Sequence, residues 1–216
     1  MILAVMPAYN EEKTVAGVVR QTKRYAGKVI VVNDASADRT AEIAKRAGTT
    51  VISHKVNRGL GGALRTGFEA ALKITRLTDI VITIDADDQH RPEDIPRFVK
   101  KINEGYDFVL GARNLQKYPL RKRFGNIVLS ALTNFVSGTS LADTESGFRA
   151  FRAGALAKLD LRAERYQIAA EIVLEVGRKK LRATNVPITS PRYRKGVTVM
   201  HGIRNFLHVV RRKILG

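Results

Sequence analysis

Two carboxylates separated by one alanine, Asp85 and Asp87, directly follow a short apolar run of the sequence. In an extended chain, side chains two positions apart project to the same side, so both carboxylates can face one ligand, and Ala86 lets that ligand come close. Carboxylate oxygens suit Mg²⁺ or Mn²⁺, and Mg²⁺ usually shares its coordination with substrate phosphates. Gln89 adds a neutral amide oxygen. The sequence therefore predicts a divalent-metal site that acts on a phosphorylated ligand. His90 is expected to be a solvated loop histidine and is not counted as a ligand.

Polar motifs also follow other apolar runs of the first half. They are Pro7–Glu12 (PAYNEE), Asn33–Asp38 (NDASAD) and Gly111–Arg113 (GAR). Each motif alone is also typical of turns and helix caps. Several such motifs at one edge of a single sheet favour a binding site, because ligands of parallel α/β sheets bind beyond the carboxyl ends of the strands.

The spacing of apolar residues predicts strands that alternate with helices. The predicted strands are Ile2–Met6, Val29–Val32, Thr49–Ser53, Ile80–Ile84, Phe108–Gly111 and Asn185–Ile188. The predicted helices are Glu11–Tyr25, Ala37–Ala47, Leu60–Ile74, Glu93–Glu104, Leu120–Val136, Tyr166–Lys179 and Ile203–Leu215. Alternation of this kind indicates parallel pairing and a three-layer α/β arrangement.

The charge is distributed unevenly along the chain. The net charge is +18, and residues 1–111 contain 17 basic and 14 acidic side chains, whereas residues 112–216 contain 21 and 6. A field of one sign on half of a protein indicates a polyanionic partner, either nucleic acid or an anionic membrane. The absence of cysteine excludes disulfides and thiolate metal sites. The sequence shows no signal peptide and no apolar stretch long enough to span a bilayer, so we expect a cytoplasmic protein.

Two predicted helices in the basic half are amphipathic. In the first, Arg121, Lys122 and Arg123 precede an apolar stripe that includes Phe124 and Phe135. The second, Ile203–Leu215, repeats the pattern. Such a helix either faces the core or lies in the headgroup plane of a membrane, with its basic residues on lipid phosphates. Two such helices in the basic half favour the membrane, although one could instead form a dimer contact.

Taken in order, the motifs resemble a known family. PAYNEE, NDASADRT, NRGLGGALRTGF and DADDQHRPEDI are similar to those of the inverting nucleotide-sugar glycosyltransferases with a GT-A fold. GARN, DTESGFRAF and the closing VPI strand resemble the dolichyl-phosphate mannose synthase-like branch. The resemblance implies a GT-A, Rossmann-like three-layer sandwich with a mostly parallel sheet and amphipathic C-terminal helices. It also implies a single domain over residues 1–216, in which residues 1–113 bind the nucleotide-sugar and residues 114–216 face the acceptor and the membrane.

The resemblance also implies roles for individual residues. On the donor side, Pro7, Tyr9 and Glu11 would contact the nucleoside, and Val32 and Asp34 would lie beside the base and ribose. Asp85 and Ala86 would lie along the donor, and Asp87 and Gln89 would hold Mg²⁺ or Mn²⁺. Arg194 and Lys195 would belong to a late loop that closes over the donor. At the reacting centre and the acceptor the residues are Asp87, Arg113 and Asp143 as catalytic residues, with Arg113 on phosphate, and Arg121, Lys122 and Arg123 toward the acceptor phosphate and the membrane.

The implied activity is metal-dependent, inverting transfer of a hexose, in this branch mannose from GDP-mannose, to a polyprenyl or dolichyl phosphate. The protein would then bind peripherally to the cytoplasmic face of the membrane. UDP-glucose as donor and a glycan hydroxyl as acceptor remain alternatives.

Two other classes compete with this interpretation. A nucleic-acid binder would explain the charge, but the basic half has no ladder of aromatic residues for stacking. A nucleotidyltransferase would need a basic, glycine-rich loop after the first strand, where PAYNEE is acidic. NRGLGG, which follows the third strand, is more typical of a tight turn into a helix.

Overall fold

Seven strands form one sheet in the computed structural model, which describes residues 1–189. Their order is β3-β2-β1-β4-β6-β5-β7. Every paired strand is parallel to its neighbour except β6, which runs antiparallel to β4 and β5. The strands are β1 Ile2–Ala8, β2 Lys28–Asn33, β3 Thr50–Ser53, β4 Ile80–Thr83, β5 Phe108–Arg113, β6 Arg149–Arg152 and β7 Ala183–Ile188. The mostly parallel α/β fold predicted from the sequence is confirmed.

Helices cover both faces of the sheet. They are α1 Val15–Thr22, α2 Thr40–Arg46, α3 Gly59–Leu72, α4 Ile95–Asn103, α5 Leu120–Ser137, α6 Ala153–Leu156 and α7 Ile168–Arg178. One apolar cluster joins Ala4 and Met6 of β1 to α1 and α4, and a second joins Leu3 and Val5 of the same strand to α3 and α7. This alternation along β1 is expected for a strand that is buried on both faces.

The short strand β6 separates β4 from β5. Arg149 is paired with Thr83 on one side and with Leu110 on the other. Because β6 runs against its neighbours, its amino-terminal end lies where β4 and β5 have their carboxyl ends. The segment that precedes it, Asp143–Phe148, therefore reaches the same edge of the sheet as the motifs that follow the parallel strands.

The amphipathic helix α5 carries its apolar side outward. Leu120, Phe124 and Phe135 are 81%, 71% and 85% exposed. The buried residues of the helix are mostly small or polar, namely Leu129, Ser130, Thr133, Val136 and Ser137. Its buried side packs on α7, where Val136 contacts Ala170 and Leu174. Gly177 permits close approach, because a Cβ at that position would lie 1.9 Å from the carbonyl oxygen of Ser137.

Some of the predicted features fall outside the described residues. These are the helix Ile203–Leu215 and the basic residues Arg194 and Lys195. Within residues 1–189, no helix combines the length and the apolar character that crossing a bilayer requires.

Candidate active site

Reciprocal hydrogen bonds connect the loops that follow β1 and β2. The backbone N–H of Asn10 donates to Oγ of Ser36 at 3.0 Å, and Oδ1 of Asn10 accepts from the N–H of Ala37 at 2.9 Å. The N–H of Glu11 donates to Oγ1 of Thr40 at 2.8 Å. The polar residues of PAYNEE and NDASADRT thus fix the two loops against each other at the carboxyl edge of the sheet.

The backbone is strained at this edge. Four non-glycine residues have a positive φ within residues 1–189, and Asn10, Ala35 and Asp88 among them follow β1, β2 and β4 with φ of 56°, 58° and 63°. Such a conformation costs free energy in residues other than glycine and is frequent at ligand sites. Its repetition after three neighbouring strands marks this edge as the candidate site.

The residues predicted to contact the nucleoside divide into exposed and buried groups. Tyr9 is 50% exposed and Glu11 is partly exposed, so both side chains are open to a ligand. The side chains of Pro7, Val32 and Ala86 are buried, and that of Val32 belongs to the apolar cluster beneath α3. At these three positions the side chain belongs to the protein interior.

Asp34 is held inside the protein. Its Oδ1 lies 2.7 Å from Nδ1 of His54 and accepts the N–H of Arg58 at 2.8 Å, and its Oδ2 accepts the N–H of Gly59 at 2.7 Å. The Asp34 carboxylate thus fixes the turn that begins α3. Its predicted place beside the base and ribose remains a prediction, but both of its oxygens already have protein partners.

The glycines of NRGLGG allow close packing at the start of α3, as a tight turn into a helix requires. Gly59 has a φ of +77°. A Cβ at Gly61 would lie 2.2 Å from the carbonyl oxygen of Ala163, and the N–H of Gly62 donates to the carbonyl oxygen of Glu164 at 2.8 Å.

Asp87 and Gln89 lie together after β4, where a divalent cation was predicted. The N–H of Gln89 donates to Oδ1 of Asp87 at 3.0 Å, and the side-chain amide of Gln89 contacts Oδ2 of Asp87. Both residues are partly exposed, and both offer hard oxygen atoms. Residues 1–189 contain no group of three or more His, Cys, Asp or Glu side chains that could hold a metal. The oxygen donors of Asp87 and Gln89 therefore fit Mg²⁺ or Mn²⁺ that completes its coordination with phosphate oxygens and water.

His90 is buried, and the expectation that it is solvated was wrong. It is 3% exposed, its ring lies 5.3 Å from that of Phe148, and its Nε2 is 3.2 Å from Oδ2 of Asp85. The loop after β4 turns back onto β6, which the sequence did not predict, and this turn buries the ring. His90 therefore orients Asp85.

Asp85 lies against the segment before β6. A Cβ at Gly147 would come within 2.4 Å of Oδ2 of Asp85, so glycine is required at that position. Burial raises the pKa of Asp85, but the hydrogen bond with His90 and the nearby positive charges outweigh this effect and lower the pKa below its ordinary value. Asp85 is therefore an anion at neutral pH.

Arg113 and Asp143 form a bidentate ion pair. Nε of Arg113 donates to Oδ2 of Asp143 at 2.6 Å and Nη2 donates to Oδ1 at 2.8 Å, while the backbone N–H of Arg113 donates to Oδ2 at 3.2 Å. Burial lowers the pKa of Arg113, but the hydrogen bond and charge of Asp143 raise it above its ordinary value. The structure thus brings two of the predicted catalytic residues together, with Asp143 orienting the guanidinium.

Sequence reasoning did not single out Arg149, Ser130 or Thr144. Arg149 is 1% exposed, and burial lowers its pKa to about 10 despite the surrounding carboxylates. Oγ of Ser130 lies 3.2 Å from Oγ1 of Thr144. The motif DTESGFRAF contains two of these residues, and an arginine between apolar neighbours was the available signal.

The sheet, the acidic positions after β4 and the arginine at the end of β5 together form an α/β fold with a candidate site for a divalent cation and anionic ligands. Residues 3–160 match the model of Glycosyl transferase family 2, and the chain belongs to this family.

Named relatives and solved structures are similar over most of the chain. A UDP-N-acetylglucosamine--dolichyl-phosphate N-acetylglucosaminyltransferase of Methanococcus voltae is 33% identical, over 99% of this chain and 96% of the relative. A dolichyl-phosphate hexose transferase of Haloferax volcanii is 34% identical, over 87% of this chain and 81% of the relative. Glucosyl-3-phosphoglycerate synthase of Mycobacterium tuberculosis, solved with Mn²⁺, UDP and glucosyl-3-phosphoglycerate, has the same fold, with a TM-score of 0.73 and 21% identity over 99% of this chain and 79% of that one.

Proposed function

We propose that this glycosyltransferase moves a sugar from a nucleotide-sugar to a polyprenyl phosphate, with inversion, at a membrane surface. The observation that carries the proposal is the outward apolar side of α5, whose polar side contacts the segment that holds Arg113. Ser130 of α5 is hydrogen-bonded to Thr144, and the adjacent Asp143 forms the ion pair with Arg113. The helix that would face the lipid and the arginine that would bind phosphate are thus joined through hydrogen-bonded neighbours. The relatives from Methanococcus voltae and Haloferax volcanii, both named for dolichyl phosphate, support the same acceptor.

On the donor side, Asp87 and Gln89 would hold Mg²⁺ or Mn²⁺. When bound, the ion neutralises the charge that develops on the diphosphate as the glycosidic bond breaks. Asp85 lies two positions before Asp87 and would border the donor. His90 contacts its carboxylate, and Gly147, which has no side chain, leaves room for it. The exposed ring of Tyr9 offers a surface for the base.

On the acceptor side, a phosphate monoester needs little activation. Its second ionisation lies near pH ~6, so it is largely an anionic nucleophile at neutral pH and needs no strong general base. The protein must instead hold two anions together, and a positioned guanidinium does this by charge. Asp143 accepts two of the guanidinium N–H groups of Arg113, and the remaining guanidinium donors, which have no hydrogen-bond partner within residues 1–189, would bind phosphate. In-line attack by the phosphate then inverts the anomeric centre.

Peripheral binding to the cytoplasmic face of a membrane would place the acceptor. Arg121 is exposed at the start of α5, and Lys122 and Arg123 are partly exposed. Basic residues contribute about 1 kcal/mol each near an anionic surface. The apolar side chains of α5, beginning with Leu120 and Phe124, would insert among the acyl chains below them.

A donor screen tests the proposal. Purified protein with Mg²⁺ or Mn²⁺ is offered GDP-mannose, UDP-glucose and UDP-N-acetylglucosamine in turn, with a short-chain polyprenyl phosphate, with a glycan hydroxyl acceptor, or with no acceptor. We expect one donor to be consumed rapidly only when the lipid phosphate is present, and the family resemblance favours GDP-mannose. Transfer to the glycan hydroxyl with none to the lipid phosphate would contradict the proposed acceptor.

A further inference from the structure

Two carboxylates on α7, those of Glu171 and Glu175, are buried at 0% and 1% exposure. Both accept backbone N–H groups of residues 160–165, here called the α7 loop, which precede the helix. Oε2 of Glu171 accepts the N–H of Arg162 at 3.0 Å and that of Ala163 at 2.8 Å. Oε2 of Glu175 accepts the N–H of Asp160 at 3.0 Å. Because a buried carboxylate is costly unless it is hydrogen-bonded, these contacts fix the α7 loop on its helix.

The part of the α7 loop that Glu171 holds packs on the beginning of α3. A Cβ at Gly61 would lie only 2.2 Å from the carbonyl oxygen of Ala163, so the two backbones are in direct contact. The N–H of Gly62 donates to the carbonyl oxygen of Glu164 at 2.8 Å. Since backbone packs on backbone here, a displacement of the loop would move the first turn of α3.

The same turn of α3 holds Asp34 at the carboxyl edge of the sheet. The Asp34 carboxylate accepts the backbone N–H groups of Arg58 and Gly59 at 2.8 and 2.7 Å. Asp34 directly follows β2, and the next residue, Ala35, has a positive φ of 58°. Ligands of parallel α/β sheets bind beyond this edge. A shift of the first turn of α3 would therefore change the surface that a ligand meets after β2.

We propose that Glu171 is a positioning residue for the nucleotide of the donor. Its carboxylate fixes the α7 loop, the loop fixes the first turn of α3, and that turn fixes the edge of the sheet at Asp34. The proposal rests on the proposed function, because it assumes that this edge binds a nucleoside diphosphate. Glu175 provides a matched comparison. It is equally buried on the same helix, but it holds the loop at Asp160, three positions before Ala163.

The experiment separates nucleotide affinity from stability. Binding of UDP and of GDP with saturating Mn²⁺ is measured by calorimetry, and thermal unfolding is followed in parallel, for wild type, Glu171→Leu, Glu171→Gln and Glu175→Leu. In Glu171→Leu we expect nucleoside diphosphate to bind about fivefold more weakly, an effect comparable with the loss of one hydrogen bond. Glu171→Gln should keep most of the affinity, because its amide oxygen can accept the same N–H groups. Glu175→Leu should bind the diphosphate as tightly as wild type, whatever its effect on stability.

Gly61→Ala tests the same connection from the side of α3 and leaves Glu171 intact. The added methyl group would press on the carbonyl oxygen of Ala163, so this variant should also bind diphosphate more weakly. Gly17→Ala is its control, because a Cβ there would meet nothing within 4 Å. If Glu171→Leu does not fold, the comparison of Gly61→Ala with Gly17→Ala decides.

Two results would overturn the inference. One is unchanged diphosphate affinity in folded Glu171→Leu or in Gly61→Ala. The other is an equal loss of affinity in Glu171→Leu and Glu175→Leu, which would show that α7 only stabilises the fold. Failure of the wild type to bind either diphosphate would instead count against the proposed function.

Discussion

The hydroxyl of Ser130 lies 3.2 Å from that of Thr144, and it also accepts the backbone N–H of Thr144 at 3.2 Å. Ser130 is on the buried side of α5, and Thr144 is next to Asp143, which holds Arg113. The contact therefore joins the helix with the exposed apolar side to the arginine proposed to bind phosphate. A movement of α5 would be transmitted toward that arginine through the bonds of Ser130 with Thr144 and through those of Asn134 with Leu141.

Ser130→Ala should impair transfer to the lipid phosphate. The change leaves polar groups of Thr144 buried without their partner, at a cost of about 1–3 kcal/mol. Ser137→Ala is the matched control, because Ser137 is on the same side of α5 but its hydroxyl hydrogen-bonds with Asn134 and Thr139 and not with the segment around Asp143, within residues 1–189. Thermal unfolding and steady-state transfer are measured for both. Equal losses of transfer in the two variants would show that Ser130 only stabilises the helix.

Asp87→Asn should abolish metal-dependent transfer and leave the fold intact. Asp88→Asn is a control of equal charge, and asparagine tolerates the positive φ at that position. We expect transfer to disappear in Asp87→Asn and in wild type with excess EDTA, and to persist in Asp88→Asn. Unfolding curves show whether the fold has survived. Full turnover of folded Asp87→Asn would exclude the metal role.

Arg113→Ala should reduce both stability and activity, because Asp143 would be left buried without its partner. Breaking a buried ion pair from one side costs about 3–5 kcal/mol, and loss of a charge-assisted contact to phosphate, worth about 1.5–3 kcal/mol, slows transfer at least tenfold. Exposed Lys100→Ala is the control for general charge.

The double variant Arg113→Met, Asp143→Leu separates the two effects on Arg113. It removes both charges, so stability should largely return while transfer stays low. If stability and transfer recover together, Arg113 has no role beyond the ion pair.

Phe135→Ser should weaken binding to anionic vesicles without destabilising the protein, because the ring is 85% exposed. Leu77→Ser, at another side chain that is 70% exposed, is the control and should leave sedimentation with vesicles unchanged. Salt should weaken binding by screening its electrostatic part. Wild type that stays in the supernatant with anionic vesicles at low salt would refute the peripheral-membrane proposal.

Replacing Arg121, Lys122 and Arg123 by glutamine tests the polar side of the same interface. The triple variant should sediment less with anionic vesicles and should slow transfer to a long-chain polyprenyl phosphate more than hydrolysis of the nucleotide-sugar. A nucleic-acid-binding protein would behave differently: the same change would weaken binding to DNA or RNA and leave vesicle binding unaltered.

Ala35→Gly should stabilise the protein, because Ala35 has a φ of 58°. The left-handed conformation costs about 1–2 kcal/mol in residues other than glycine, and the extra entropy lost by glycine offsets about 0.5–1 kcal/mol of this. A net gain of up to about 1.5 kcal/mol in the free energy of unfolding is expected. Ala37→Gly, in the same loop without a positive φ, should be neutral or destabilising. A gain of the same size in both variants would mean that the strain at Ala35 is not its source.

The sequence predicted the parallel strands mainly because β1, β2, β4 and β5 are runs of apolar residues that are buried on both faces. It did not predict β6, since four residues with two arginines do not resemble a central strand. The apolar spacing of α5 identified its stripe, but spacing cannot tell which side of a helix the rest of the chain covers. The pairing of Arg113 with Asp143, thirty positions away, depends on β6, and so does the burial of His90.

The insertion of β6 between β4 and β5 restricts how this chain can be recombined. In a chimera of two relatives, a junction near residue 113 would follow the sequence pattern, because it separates the donor motifs from the basic half. A chimera made there would combine β4 and β5 of one parent with β6 of the other. Phe151 must fit beside Val81 and Phe108, and Arg149 beside Thr83 and Leu110. Exchange of acceptor preference between relatives should therefore succeed by grafting α5 alone, and fail when the whole carboxyl-terminal half is swapped as a cassette.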